Sequence, residues 1–83
     1  MSLEYYKKQM VDLRAKLQKE KDAKKKDNEY YARMVKFSST PSGKASYRKM
    51  KVDRAASHDR QIESIKRQIE SCKDNIARER KRK

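Results

Sequence analysis

Ser38-Ser39-Thr40-Pro41-Ser42-Gly43 holds the only Pro and the only Gly of this 83-residue chain. Such a cluster of Ser, Thr, Pro and Gly punctuates helix and marks a turn. On either side the sequence has no breaker at all. Residues 2–36 are rich in Lys, Glu, Gln, Leu, Met and Ala, and residues 44–79 run on without Gly or Pro, a composition that favours helix. The sequence therefore predicts one helical hairpin over residues 1–83, with helices at about 2–36 and 44–79, a turn at about 38–43, and a frayed basic C-terminus. Ser2 is a natural N-cap for the first helix. Thr40 before Pro41 is the favoured cap-and-first-position pair for the second, with Ser42 as the competing cap because Gly43 would weaken a helix interior.

The apolar residues supply the argument for a fold. Leu3, Tyr6, Met10, Leu13 and Leu17 step by three and four. Ile62, Ile65, Ile69, Cys72 and Ile76 do the same. This a/d spacing keeps one stripe of each helix turned toward a partner helix. In an antiparallel hairpin, facing residues must have numbers with a constant sum. Leu17 with Ile62, Met10 with Ile69 and Leu3 with Ile76 add to 79; Leu13 with Ile65 and Tyr6 with Cys72 add to 78. Half of that sum falls inside the Ser-Ser-Thr-Pro turn, which composition marks independently. The fold class is thus all-α, an antiparallel two-helix coiled coil with those ten residues as its seam. Extended toward the turn, the same register sets Glu20 against His58, Lys24 against Ala55, Asp27 against Lys51 and Tyr31 against Arg48. Near the turn, Tyr30, Tyr31, Met34, Val35, Phe37, Tyr47, Met50 and Val52 are candidates for a second apolar cluster.

One narrow seam gives little burial for 83 ordered residues. The sequence predicts that the hairpin is completed by self-association or by docking onto a larger protein. Composition excludes most other classes. Charged residues make up 45% and hydrophobic ones 34%, too few for a sizeable globular core. A single Cys rules out an intramolecular disulfide framework, and one His with one Cys rules out a structural zinc site made by this chain alone. Cys72 and His58 lie 14 residues apart, about 21 Å along a helix, so they do not form a Cys–His couple. No Gly-rich phosphate loop is present. The reading is of a non-enzymatic protein with no catalytic, cofactor-binding or metal-binding residues, no cofactor and no small-molecule substrate. No apolar run reaches the length of a membrane span, and MSLEYYKKQM lacks an apolar signal segment, so the expected partners include no membrane and the expected location is cytoplasmic.

The formal net charge is +13, from 25 Lys and Arg against 12 Asp and Glu. Two dense clusters stand out: Lys24-Lys25-Lys26, and Arg78, Arg80, Lys81, Arg82 and Lys83 at the C-terminus. Such clusters attract phosphate polyanions, which gives the alternative function: a basic nucleic-acid-binding protein making sequence-independent phosphate contacts. No recognition-helix pattern or base-stacking platform accompanies them.

Met1-Ser2-Leu3-Glu4-Tyr5-Tyr6-Lys7-Lys8, followed by Ser38-Ser39-Thr40-Pro41-Ser42 and Ser46-Tyr47-Arg48, resembles the Lys-rich coiled-coil segments that often precede TIR or other effector domains in bacterial defence-type proteins. The resemblance implies a helical-hairpin module in an antiviral-defence setting, with any NAD-cleaving activity belonging to another domain. Small exported hairpins of the WXG type are a weaker likeness, because the Trp-x-Gly turn is missing.

Overall fold

The computed structural model describes residues 2–82. Two helices account for nearly all of them: α1, Leu3–Phe37, and α2, Pro41–Lys81. They pack antiparallel into a rod of 66 × 14 × 12 Å. The fold is the all-α helical hairpin that the two stripes require.

Each start is capped by the residue type its orphan N–H groups need. Ser2 Oγ accepts from the Tyr5 N–H at 3.3 Å, and Glu4 places a carboxylate in the first turn of α1. Thr40 Oγ1 accepts from the Gly43 N–H at 3.0 Å, with Pro41 as the first helical residue. The turn is therefore shorter than its composition suggests. Only Ser38, Ser39 and Thr40 link the helices, and α2 begins at Pro41 rather than near residue 44. Gly43 is the third residue of α2, in its first turn, without positive φ. Its missing side chain leaves room for the cap: a Cβ there would crowd the Ser38 hydroxyl and lie 2.9 Å from Thr40 Oγ1.

The C-terminal boundary also differs from expectation. α2 continues to Lys81, and the Arg82 N–H still donates to the Arg78 carbonyl at 3.2 Å. Arg78, Arg80 and Lys81 place cations beside the carbonyl end of the helix dipole, and Arg82 leans on Glu79 at 3.4 Å. The basic tail is thus helical through Lys81; Lys83 lies outside the described residues. Because Leu3 stands level with Ile76, the last five residues of α2 project beyond the start of α1.

The buried core is small. Met10, Leu13, Ile69 and Cys72 are buried, and Tyr6, Leu17, Ile65 and Ile76 pack against them. All eight lie in the half of the rod away from the turn. The apolar residues near the turn do not close into a second core. Tyr31, Met34, Val35 and Tyr47 are half-buried, whereas Tyr30, Phe37, Met50 and Val52 stay exposed. Each of these rows of side chains serves one partner helix only, so burial stops at the seam.

Two substitutions probe these features. Thr40→Ala removes the side-chain acceptor at the start of α2 and is expected to cost about 1 kcal/mol in urea unfolding followed by helical circular dichroism. Leu13→Asp puts a carboxylate into the apolar plug without a partner; the expected outcome is loss of most of the helical signal at 25 °C, and a variant that melts like the parent would contradict this packing.

Candidate functional site

The middle of the rod is polar, and there the two helices are joined by ions. Glu20 and Asp27 are seven residues apart on α1 and share its inward stripe. His58 lies between them: Nδ1 is 2.6 Å from Glu20 Oε1 and Nε2 is 2.6 Å from Asp27 Oδ2. A neutral imidazole carries one N–H, so one of these contacts would set a lone pair against a carboxylate oxygen. The arrangement is satisfied only by an imidazolium that donates from both nitrogens. The hydrogen bond to Asp27 raises the His58 pKa most, the bond to Glu20 next, and both outweigh the opposing effect of burial. In return the His58 hydrogen bond, assisted by Arg54, holds the Asp27 carboxyl below its ordinary value against desolvation.

Two further contacts extend the node. Arg54 Nε donates to Asp27 Oδ2 at 3.2 Å, and Lys24 Nζ donates to Asp59 Oδ1 at 2.6 Å. The expected Glu20–His58 facing is present. Asp27, however, is held by His58 and Arg54 instead of Lys51, and Lys24 reaches past Ala55 to Asp59. The cause is the tilt of helical side chains toward the N-terminus. The tips of facing side chains on antiparallel helices lean in opposite directions along the rod. Long polar groups therefore meet partners whose residue numbers add to 81–85, above the 78–79 of the apolar pairs. Glu20 and Asp27 occupy opposite ring nitrogens, so they do not converge on one point that a cation would occupy.

Of the ten stripe residues, eight form or flank the plug; Leu3 and Ile62 are half-buried at its ends. Cys72 is the least exposed of them, at 3%, and its thiol donates to the Tyr6 carbonyl across the seam at 3.1 Å. A thiol so enclosed is a packing group. Beside it Tyr6, Gln9, Gln68 and Asn75 line a shallow open groove.

The two dense basic clusters do not form one patch. Lys24 is committed to Asp59, while Lys25 and Lys26 point outward. Arg78, Arg80, Lys81 and Arg82 sit on the overhang of α2, roughly 35 Å away along the rod at 1.5 Å per residue.

The register instead divides the surface into two unlike flanks. With the stripes at heptad positions a and d, an antiparallel pair sets g beside g on one flank and e beside e on the other. The g flank carries Gln9, Gln68 and Gln61, then Tyr30 and Tyr47, which stand level near the turn, and Phe37 beyond them. Tyr30 meets Tyr31 edge to face with ring centroids 5.0 Å apart, which carries the apolar surface from the seam out to the flank. Tyr30 is 47% exposed, Met50 43% and Phe37 74%. The e flank carries Lys7, Arg14, Lys21, Lys66, Lys73 and Arg80 with Asp59 among them, while Lys16, Arg54 and Arg82 give the g flank a smaller positive charge of its own.

Compared with protein-family models, characterised proteins and solved structures, this chain finds no match.

The node fixes the sign of a pH response. The raised pKa of His58 contributes stability that is complete below its unfolded value of 6.5 and is lost as pH rises through the folded value. The lowered pKa of Asp27 contributes above its unfolded value of 3.8 and is lost as pH falls through the folded one. The parent should therefore exceed His58→Gln in thermal stability by most between about pH 4 and 6.5, the gap narrowing on either side. A His58 titration by NMR in the folded chain with a midpoint at or below 6.5 would contradict the clamp.

Proposed function

We propose that this chain is a non-enzymatic coiled-coil module that works by association, laying another helical surface along its turn-end g flank. The supporting observation is the set of aromatic and apolar side chains left open there: Tyr30 and Phe37 are exposed, Tyr47 is half-buried, and Met50 is exposed at the adjoining c position. Isolated exposed apolar residues need no explanation, but neighbours on one flank that continue an apolar seam are what a helical partner covers. Tyr is well suited to such contacts, because it combines a large apolar body with a polar tip.

Charge bears on the identity of the partner. Two copies carrying +13 each repel, whereas a surface with excess Asp and Glu is attracted. A larger acidic protein therefore fits this flank better at low salt, and a second copy fits once salt screens the repulsion. The antiviral-defence setting rests on the resemblance of the N-terminal and turn motifs alone.

Sedimentation equilibrium at 0.05 M and 0.5 M NaCl, alongside cross-linking pull-downs, tests the reading. The parent should self-associate at the higher salt or retain acidic proteins at the lower. Tyr30→Ser with Phe37→Ser should lose both while keeping its helical signal. A parent that stays monomeric at both salts, and that captures the same proteins as the double variant, would refute the docking face.

A further inference from the structure

The e flank carries a feature that the hairpin itself does not use. Lys7, Arg14 and Lys21 follow one another at seven-residue intervals on α1, and Lys66, Lys73 and Arg80 do the same on α2. All six are exposed. The register sets Lys73 beside Lys7 and Lys66 beside Arg14, so like charges face each other across the seam. Positions e and g of coiled coils ordinarily carry opposite charges that favour pairing. The residue level with Lys21 is Asp59, and Lys24 has already taken it at 2.6 Å. Lys7 and Lys73 lean on glutamates of their own helices, Glu4 at 4.0 Å and Glu70 at 3.5 Å, contacts in open solvent that contribute little. Among the described residues, Arg14, Lys21, Lys66 and Arg80 have no ion-pair partner within 4.0 Å.

The geometry points to this double row of cations as a binding face for the phosphate backbone of duplex nucleic acid, read without regard to sequence. Like-charge pairs across a seam weaken the hairpin, and a polyanion lying along the seam turns that repulsion into attraction. From Arg80 on the overhang to Lys21 the strip covers roughly 32 Å at 1.5 Å per residue, close to the length of one duplex turn. The flank has no aromatic side chain, and the exposed tyrosines near the turn lie on the opposite flank. Single-strand binders rely on such rings for base stacking, so their absence from the strip favours a duplex. An anionic bilayer fits less well. A helix lying on a membrane inserts an apolar face, and here the apolar stripes face each other inside the hairpin.

The strip is made of different residues from the turn-end docking face, so either proposal can fail without the other. It also differs from the contiguous Lys24–Lys26 run, whose three side chains point in three directions around α1.

Fluorescence anisotropy with a 30-base-pair duplex across a salt series provides the test. One variant carries Arg14→Gln, Lys66→Gln and Lys73→Gln. The control carries Lys19→Gln, Lys26→Gln and Arg33→Gln, which removes the same charge from the far shoulder of α1. The strip variant is expected to bind at least about tenfold more weakly near 0.1 M salt, with the slope of log K against log salt reduced by about 3, while the control keeps most of both. Circular dichroism should show all three proteins equally helical, since every changed residue is exposed. Equal losses in the two variants would mean that total charge, not the strip, holds the duplex. No duplex binding by the parent at 0.02 M salt would overturn the proposal. So would strip-dependent binding to vesicles with 30% anionic lipid but not to the duplex.

Discussion

Every cross-helix contact in this molecule depends on a turn of three residues. Ser38, Ser39 and Thr40 are all that separate the two helices. A link this short leaves no slack for the helices to slide. Slipping by one residue would rotate a stripe by about 100° and move its apolar residues out of the seam. The Thr40 hydroxyl, the ring of Pro41 and the missing side chain of Gly43 together set where α2 starts. That starting point fixes the facing of Tyr6 with Cys72 and of Glu20 with His58, far down the rod.

The register holds two unlike interiors in one seam. Away from the turn, a small apolar plug supplies burial. In the middle, Glu20, His58, Asp27 and Arg54 form a chain of alternating charges, with Lys24 and Asp59 beside it in the opposite sense. Partly exposed ion pairs contribute modestly to stability, and their better-attested role is to specify alignment. A histidine that needs a carboxylate at each ring nitrogen tolerates no other register. The plug holds the helices together, and the clamp selects how they align.

Much of this was legible in the sequence because a coiled-coil seam repeats. Steps of three and four in two stripes, a constant sum and one breaker cluster define the hairpin from sequence alone. Three features are less legible, each for a physical reason. The start of α2 is only partly legible: Thr40 and Pro41 mark the cap and first position that the helix in fact uses, but Gly43 counts against helix by propensity and pulls the expected range to about 44. Level pairing gives Asp27 the wrong partner, Lys51, because it ignores the N-terminal tilt of long side chains. Runs of adjacent cations such as Lys24–Lys26 do not share one flank, because neighbours in a helix point about 100° apart. Cations seven apart, such as Lys7, Arg14 and Lys21, share a flank but look scattered in the sequence.

The central claim is that one chain folds back on itself, and the separation of its two ends measures that directly. Spin labels on Lys8→Cys and Asp74→Cys in a Cys72→Ser background, diluted with unlabelled chain, would be read by pulsed dipolar spectroscopy. The hairpin predicts a single narrow distribution near 20–30 Å, because the labelled positions stand almost level on neighbouring helices about 10 Å apart. A distribution near 100 Å, the length of 66 residues in one unbroken helix, would contradict it.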